Sequence, residues 1–485
     1  MCSHNLQQKG YPDMHFNEYI DSQKDRFLAD LARLVKVRSV REDAKDAAPF
    51  GDGPKKALDE TIAICAEHGF AMTNYDYYAG ETDLGSDPAL MILAHLDVVD
   101  EGEGWTKPPY EMTVEDGKLF GRGTMDDKGP ALAALYAMEA VRECGIELKK
   151  GVRLVLGCAE ETGSEDMEYY FSKRPTLPYC FSPDAAYPLI HLEKGRFAPY
   201  FSKNWDADTA IPRVMKINGG TTPNIVPCKA SAVLLGLTAA QVQPVCDDYK
   251  EKTGANFVLT EEFNCEGGVC CKKLVITAEG VAAHASEPYK GVNAQTALLS
   301  LLCALPLTDS ESAKAIHSLN KLFPHGDTKG ETVGIAMEDE ISGDLTFNFG
   351  VLDLCEDGLT ACFDTRVPVC ATKENVFDVI ESALQKEGFS LHEDAHMIPA
   401  HHVPKDAPIV KTLLSVYEQY TGEKGEAFAI GGGTYVHHIE GGVAFGCEMP
   451  GVDYRLHGPD EFADLDTLLL SAKMFAEAIV RLCGE

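Results

Sequence analysis

The chain has 485 residues, more than one hydrophobic core usually organises, so we expect two domains. Aspartate and glutamate total 76 against 43 lysines and arginines, and the net charge of -33 argues against nucleic acid and anionic membranes as partners. Residues 1–13 are polar, no apolar run reaches about 18 residues, and the cysteines lack the spacing of a secreted disulfide scaffold, so we expect a cytoplasmic protein.

The first predicted element is an amphipathic helix, because apolar residues recur at roughly helical spacing from Phe16 to Val35. Two short apolar runs follow, at residues 89–94 and 152–159, and the Ala-rich stretch 130–147 between them has helical composition. Apolar runs that alternate with helical stretches predict an α/β sheet.

The middle of the chain has a different texture. Many short β-like runs, separated by Gly, Pro and Asn, fill residues 195–391, whereas helical runs return near the C-terminus. This pattern is typical of one domain inserted into another. We therefore predict a larger domain in two parts, residues 1–194 and 392–485, and an inserted α+β domain at 195–391 that is long enough for two lobes.

Two groups of polar residues stand near the first predicted strand and the Ala-rich helix. His95 and Asp97 follow the run 89–94 on the same side of an extended chain, as a metal ligand and its orienting partner would. A hydrogen-bonded His–Asp pair near a turn is the alternative. Asp126 and Asp127 precede the helix, where its dipole would hold them ionised for a cation, or where they could act as an N-terminal cap.

Acidic residues also follow the second run. Two carboxylates, Glu160 and Glu161, at the end of a buried strand are unfavourable unless they meet a cation. One could then bind metal while the other carries a proton. Asp184 follows a further apolar run, whereas His457 lies in a loop near the C-terminus, where a single histidine is more often structural. Because groups at neighbouring strand ends converge on one crevice, this set predicts a metal site.

Five stretches resemble, in this order, the metal motifs of the co-catalytic zinc peptidases, and they are residues 95–97, 121–130, 158–163, 182–185 and 456–461. That superfamily includes aminoacylases, glutamate carboxypeptidases, succinyl-diaminopimelate desuccinylases and PepV-type dipeptidases. The resemblance implies an α/β catalytic domain, with a central mixed β-sheet flanked by helices, that is interrupted by an inserted lid domain.

The resemblance also implies a set of metal ligands. Asp126 would bridge two divalent ions, with zinc expected and manganese or cobalt as alternatives. His95 and Asp184 would complete one site, and Glu161 and His457 would complete the other.

Two further roles follow from the same resemblance. Asp97 would orient the His95 ring, and Glu160 would be the general base. The peptide bond between Asp126 and Asp127 is expected to be cis.

Three motifs of the inserted domain, at residues 219–227, 280–286 and 363–366, resemble the lid motifs of the family. They would bring Asn224, His284 and Arg366 to the substrate. The planar guanidinium of Arg366 suits a carboxylate, and His284 could stabilise the oxyanion that develops at the scissile carbonyl.

A glycine-rich loop, residues 431–435, resembles the loop of PepV-type dipeptidases that receives the C-terminal end of the substrate. Gly432, Gly433 and Thr434 are its candidate binding residues. The inserted domain is also too long for the single lobe of dimeric members, which favours the PepV branch and a monomer. A departure is the run from Val436 to His438, where those enzymes tend to carry a basic residue, so the side-chain preference stays open.

The predicted function is hydrolysis of an unblocked dipeptide by a metal-bound water, with Glu160 as the group that takes the proton and delivers it to the leaving amine. An N-acyl-amino-acid deacylase or desuccinylase with the same two-metal centre is the alternative among enzymes. A catalytically silent metal or peptide carrier is the alternative outside them.

Overall fold

The computed structural model of the chain describes residues 14–207, 209–266 and 269–484, without the side chains of 263–272. The described residues divide into two compact units: unit 1 lies within Met1–Leu192, His402–Ala429 and Gly433–Glu485, and unit 2 lies within Glu193–His401 and Ile430–Gly432. Among the described residues, no helix has the length and apolar character needed to cross a membrane.

The α-helices of the described chain are, in order, α1 (Phe16–Ser22), α2 (Lys24–Val35), α3 (Asp52–Glu67), α4 (Lys128–Glu143), α5 (Glu165–Lys173), α6 (Ala239–Thr253), α7 (Ala294–Cys303), α8 (Glu311–Leu322), α9 (Asp378–Lys386), α10 (Pro408–Thr421) and α11 (Leu465–Cys483). The predicted opening helix is therefore two helices, α1 and α2. They are separated by Gln23, whose ψ of 6° leaves the helical range. The apolar pattern continues across the break because both halves bury their apolar side chains in one core, for example Ile20 and Phe27.

The strands are β1 (Thr73–Tyr75), β2 (Ala79–Leu84), β3 (Pro88–His95), β4 (Thr113–Glu115), β5 (Lys118–Phe120), β6 (Gly151–Gly157), β7 (Tyr179–Ser182), β8 (Leu189–Glu193), β9 (Gly195–Phe197), β10 (Tyr200–Asn204), β11 (Arg213–Gly219), β12 (Lys229–Leu235), β13 (Asn256–Glu266), β14 (Val269–Glu279), β15 (Glu338–Asp339), β16 (Gly343–Asp344), β17 (Thr346–Cys355), β18 (Gly358–Val367), β19 (Ser390–Leu391), β20 (Met397–Ile398), β21 (His401–His402), β22 (Ala427–Ile430), β23 (Gly442–Ala444) and β24 (Phe462–Asp464).

A nine-stranded mixed sheet forms the centre of unit 1, in the order β1-β2-β6-β3-β7-β23-β8-β21, with β22 beside β8. Strands β6, β3, β7 and β23 run parallel, and β2 runs antiparallel to β6. Parallel strands are buried on both faces, and β3 and β6 are accordingly almost entirely apolar, with the buried Arg153 as the charged exception in β6. The α/β prediction is confirmed.

Helices α4 and α11 pack against each other and against β3 in this unit. Almost every side chain of α4 is buried, which explains why its sequence is rich in alanine: small residues let two buried helices and a sheet approach closely. A separate three-stranded sheet, in the order β24-β5-β4, joins residues 113–120 to the C-terminal region of the chain.

Unit 2 contains a ten-stranded sheet in the order β13-β14-β12-β11-β17-β18-β10-β19, with β9 beside β18 and β20 beside β9. The sheet is antiparallel in each pairing from β13 to β18. Strand β12 alternates buried residues with more accessible ones, as expected where one face of a sheet packs against helices. Unit 2 has its own hydrophobic core, in which Phe201, Phe323 and Phe363 lie together.

Candidate metal centre

Parallel strands of unit 1 deliver three of the predicted metal ligands to one edge of the sheet. His95 ends β3 and lies opposite Gly157, the last residue of β6, while β7 runs parallel on the other side of β3. The chain leaves β6 into a short 3-10 turn that contains Glu160 and Glu161, and it leaves β7 just before Asp184. The carboxyl ends of parallel strands meet at one edge, and the side chains gather there.

The other two ligands arrive through the small three-stranded sheet. In it Phe120 of β5 pairs with Phe462 of β24, so the loop after β5 lies beside the loop before β24. The first loop carries Asp126 and the second carries His457. His457 has a positive φ of 59°, an uncommon conformation for a residue with a side chain, and its ring nitrogen reaches the Asp126 carboxylate.

Asp126 lies between two histidines. Its Oδ1 is 3.0 Å from Nε2 of His95, and its Oδ2 is 2.9 Å from Nε2 of His457. Asp184 lies 3.6 Å from the same His95 nitrogen, and Glu161 lies 3.2 Å from the same His457 nitrogen. Each oxygen of one carboxylate therefore faces a different His–carboxylate pair, which is the arrangement that a bridging ligand requires.

The unpartnered atoms of this cluster fit a cation. Nδ1 of the buried His95 ring is 2.9 Å from the carbonyl oxygen of Asp97 and must donate to it, which leaves the Nε2 lone pair facing carboxylate oxygens. Nε2 of His95 and Oε1 of Glu161 are buried and make no hydrogen bond within the part of the chain that the structure describes. Two groups of three possible ligand atoms lie within 4.8 Å of one another: His95, Glu160 and Asp184, and His95, Asp126 and Glu161. Such a donor set, with imidazole nitrogens and carboxylate oxygens, is typical of zinc and related divalent ions.

Asp97 connects the histidine to the glutamate pair. Its two carboxylate oxygens accept the backbone N–H groups of Glu160 and Glu161, both at 3.1 Å. Asp97 also lies against the His95 ring, with 3.4 Å between Oδ1 and Nδ1. The side chain is almost fully buried, so it fixes the backbone of the 3-10 turn relative to the end of β3.

Burial and mutual repulsion shift the pKa values of this cluster. Burial raises the pKa of Glu160 well above its usual range and that of Glu161 to about 7. Burial and the charge of Asp126 raise the pKa of Asp184. The nearby Asp126 and Glu161 carboxylates raise the pKa of His457 to about 11. Protons at this site, or a cation in their place, relieve the repulsion between the carboxylates.

Asp127 does not act as the helix cap that was one of its two predicted roles. Its Oδ2 accepts the backbone N–H of His95 at 3.0 Å, and no side-chain cap bond is present at the start of α4. The peptide bond between Asp126 and Asp127 is cis, as expected.

Asn224 and His284, two predicted lid residues, lie on paired loops within unit 2. The Asn224 carbonyl accepts the N–H of Ala285 at 2.9 Å, and Ile225 forms a β-bridge with His284. Nδ1 of His284 accepts the N–H of Ser286 at 3.2 Å, which places the proton of the neutral ring on Nε2. That tautomer is the one that can donate a hydrogen bond from Nε2.

Arg366, the third predicted lid residue, is held by its neighbours in unit 2. Its Nε lies 2.6 Å from Oδ1 of the fully buried Asp364, and its Nη1 donates to the carbonyl oxygen of Gly431 at 2.5 Å. Arg196 approaches the other oxygen of Asp364, at 2.8 Å. The aspartate thus fixes the plane of the Arg366 guanidinium.

The glycine-rich loop passes from one unit to the other, because Gly432 belongs to unit 2 and Gly433 to unit 1. Thr434 ends the loop and caps a short 3-10 helix, Tyr435–His438, with its side chain accepting from the N–H of Val436. Gly432 has open space where a side chain would lie: apart from its two chain neighbours, Ile430 is the only described residue within 4 Å of the position of a Cβ atom.

Three functional residues had no role in the sequence analysis. Glu461 accepts backbone N–H groups of the loop that carries Asp126. Asp166 accepts a hydrogen bond from the Tyr435 hydroxyl. Glu448 is half-buried beyond the end of β23. Burial and, next, the negative charge of Asp184 raise the pKa of Glu448 to about 7, so its carboxyl group lies near the centre. Of these, Glu461 alone lay inside a quoted motif, and its position near His457 was the available signal.

Comparison with known proteins gives a family model and several relatives. The matching model is described as Peptidase family M20/M25/M40 and covers residues 91–481. The chain is 34% identical over 480 residues to the Beta-Ala-Xaa dipeptidase of Lactobacillus delbrueckii subsp. lactis. The alignment covers 98% of this chain and 99% of that protein. It is 33% identical over 475 residues to the YtjP protein of Bacillus subtilis (strain 168), over 97% of this chain and 100% of that one.

A solved structure has the same fold at low sequence identity. It is the dipeptidase Dug1p of Saccharomyces cerevisiae, with a TM-score of 0.58, 13% identity, and coverage of 97% of this chain and 98% of that chain.

Proposed function

The chain belongs to peptidase family M20/M25/M40, and we propose that it hydrolyses dipeptides with a free amino terminus at the centre formed by His95, Asp126, Glu161, Asp184 and His457. It is a metal-dependent dipeptidase. The observation that carries the assignment of the centre is the Asp126 carboxylate, whose two oxygens face two different histidines. Two divalent ions would fit this arrangement, and we propose zinc from the mixed nitrogen and oxygen ligands.

Bound ions would supply Lewis acidity, which polarises the scissile carbonyl and lowers the pKa of water. The remaining work falls to side chains of the chain. Glu160, which is not one of the five proposed ligands, would accept a proton at a carboxylate oxygen and deliver it to the leaving amine nitrogen. Asp97 would keep Glu160 in place through the backbone N–H bonds at 3.1 Å.

The lid residues are assigned to the substrate by the likeness of their motifs. His284 would donate from Nε2 to the carbonyl oxygen of the scissile bond, in the tautomer that its contact with Ser286 favours. Asn224 would provide a further amide donor. Arg366 would bind the C-terminal carboxylate of the dipeptide, and Gly432, Gly433 and Thr434 would surround the same end.

The substrate class is tested by a panel of three sets of compounds on metal-analysed protein: α-linked dipeptides, dipeptides that begin with β-alanine, and N-acyl amino acids. The relative from Lactobacillus delbrueckii is named for Beta-Ala-Xaa dipeptides, which is why the second set is included. We expect turnover of free dipeptides in the first two sets. Activity on N-acyl amino acids alone would replace the proposal by the deacylase alternative.

A carrier that binds dipeptides without cleaving them is distinguished in the same experiment. Calorimetric binding of an intact dipeptide, with no product after prolonged incubation of the metal-loaded protein, would support the carrier. The Glu160→Gln variant is the matched control, because it should bind the dipeptides and leave them intact.

A further inference from the structure

A buried hydroxyl–carboxylate contact lies beneath the candidate metal centre. Tyr435 and Asp166 are 1% and 0% exposed, and the Tyr435 hydroxyl donates to Oδ2 of Asp166 at 2.5 Å. Both residues lie in unit 1, and neither has a part in the chemistry described above. Burial raises the pKa of Asp166 to about 6, so the carboxyl group is placed there at some expense of stability.

The same oxygen of Asp166 holds the backbone that leads to the glutamate pair. Oδ2 accepts the N–H groups of Cys158 and Ala159 at 2.6 and 2.8 Å, directly before Glu160. The other oxygen accepts the N–H of Met167. Asp166 therefore holds the turn after β6 through the N–H groups of Cys158 and Ala159, and Asp97 holds it through those of Glu160 and Glu161.

Gly157 makes room for this contact. A Cβ atom on Gly157 would lie 2.1 Å from the Tyr435 hydroxyl and 2.5 Å from Oδ2 of Asp166, distances that no side chain could tolerate. The end of β6 is thus built around the pair, and a larger residue would expel one of its members.

Tyr435 reaches from this contact to two parts of the site. It begins the short 3-10 helix directly after Thr434, so its position sets where the glycine-rich loop ends. Its ring meets the His95 ring edge to face, with centroids 6.2 Å apart and an interplanar angle of 88°. A single side chain therefore touches the metal-facing histidine and anchors the loop.

We propose that Asp166 and Tyr435 are positioning residues with separable tasks. Asp166 holds the turn that carries Glu160 and Glu161, and the Tyr435 hydroxyl fastens the Thr434 end of the glycine-rich loop to that turn. The loop part of this inference rests on the proposed function, in which Thr434 contacts the substrate. The turn part depends only on the metal ligands.

The two tasks predict different losses. Without the hydroxyl, Asp166 keeps its bonds to the Cys158 and Ala159 N–H groups, so the turn stays in place and only the loop loosens. Without the carboxylate, two buried N–H groups lose their acceptor and the turn itself shifts. The first change should act on substrate binding, and the second on turnover and on metal retention.

The test compares Tyr435→Phe with Tyr136→Phe. The control tyrosine is also fully buried in unit 1 and donates to an aspartate, Asp30, at 2.8 Å, but it lies on α4 outside the site. Both variants lose one buried Tyr–Asp hydrogen bond, so similar losses of thermal stability are expected. Tyr435→Phe alone should raise KM, by about tenfold for one buried hydrogen bond, with kcat and bound metal unchanged within about twofold.

Asp166→Ala and Asp166→Asn test the other task by metal analysis and kcat. Asp166→Ala should lower kcat and the metal bound per chain, and Asp166→Asn should restore much of both, because its amide oxygen can accept the same N–H groups. If Asp166→Ala does not fold, Asp166→Asn still decides the point: its amide nitrogen cannot accept the N–H of Met167, so kcat and bound metal should fall measurably below wild type, and wild-type values of both would overturn the turn part.

An unchanged KM in Tyr435→Phe, or full metal binding in folded Asp166→Ala, would overturn the inference. A wild-type protein that binds metal but cleaves no dipeptide would instead overturn the proposed function, and the metal content of Asp166→Ala would still test the turn.

Discussion

Glu461 and Arg122 form an ion pair that solvent does not reach. Oε2 of Glu461 is 2.6 Å from Nη1 of Arg122, and their side chains are 0% and 1% exposed. The other oxygen, Oε1, accepts the N–H groups of Gly123, Met125 and Asp126 at 3.0 to 3.3 Å. One carboxylate therefore holds the loop that carries Asp126 against the loop that carries His457. Loss of Glu461 should affect both the metal centre and the stability of unit 1.

Glu461→Gln should destabilise the protein by about 3–5 kcal/mol, because it leaves the buried Arg122 charge without a counter-ion. It should also lower the amount of bound metal, since the Asp126 loop is then held less firmly. Urea unfolding and metal analysis measure both effects. Asp248→Asn is the control: it removes an exposed ion pair with Lys252 and should change the free energy of unfolding by less than about 1 kcal/mol. Equal effects of the two substitutions would contradict the structural role of Glu461.

Glu160→Gln should keep the metal content and lose turnover by a factor of about 10² to 10⁴, the usual range for a missing general base. The amide has nearly the same shape but cannot accept the proton. Glu165→Gln, shortly after the same turn but largely exposed, is the matched control and should leave kcat within about twofold. Turnover near the wild-type rate in Glu160→Gln would show that another group carries the proton.

Asp126→Ala should release metal from both positions, since its two oxygens face both histidines. Asp184→Ala should release about half as much metal as Asp126→Ala, because Asp184 contacts only one of the two histidines, His95. Elemental analysis of the purified variants gives the ratio of metal to protein. Two tightly retained ions in Asp126→Ala would exclude the bridging role.

Arg366→Ala should weaken the turnover of free dipeptides about tenfold or more, and that of their C-terminal amides much less, because the amide has no charge for the guanidinium to bind. Arg366→Lys should restore only part of the loss, since an ammonium group cannot reproduce the planar fork. Arg196→Ala is the control, because Arg196 shares Asp364 but is 41% exposed. Equal losses on acids and amides would remove Arg366 from carboxylate recognition.

His68 should make stability depend on pH. Its Nε2 and Nδ1 lie 2.9 and 2.8 Å from Asp30 and Glu139, with Arg26 and Tyr136 also facing the cluster. Burial opposes the charged form, but bonds to the two carboxylates raise the pKa of His68 above its ordinary value.

A raised pKa means that the stabilisation is fully present below the unfolded-state pKa, about 6.5, and is lost as pH rises through the folded-state pKa. The free energy of unfolding of wild type relative to His68→Asn should therefore fall as pH rises above about 6.5. His191→Asn is a control with the opposite sign, because burial lowers the pKa of His191, so its stabilisation is lost as pH falls. A constant difference between wild type and His68→Asn across this range would show that folding does not raise the pKa of His68.

Part of the fold and of the site could be predicted from sequence because the signal is local. The apolar runs that became β3 and β6 each end beside an acidic residue or histidine, and burial of such groups is unfavourable without a cation. The rule that parallel strands meet at one edge then predicts that His95, Glu160 and Asp184 converge. The prediction of a single opening helix was wrong, because the chain forms two helices separated by Gln23. The apolar pattern continues through this break, so periodicity cannot detect it.

Only the tertiary structure decided the contacts that join distant segments. Asp126 and Glu461 are 335 residues apart and meet because β5 pairs with β24, a pairing that no local pattern specifies. Tyr435 meets Asp166 because Gly157 leaves the space, which becomes visible only when the three are packed together. The polar residues at a strand end lie within a few residues of one another in the sequence, so a local pattern reveals them. The partner of a buried carboxylate depends instead on which distant segments pack against it.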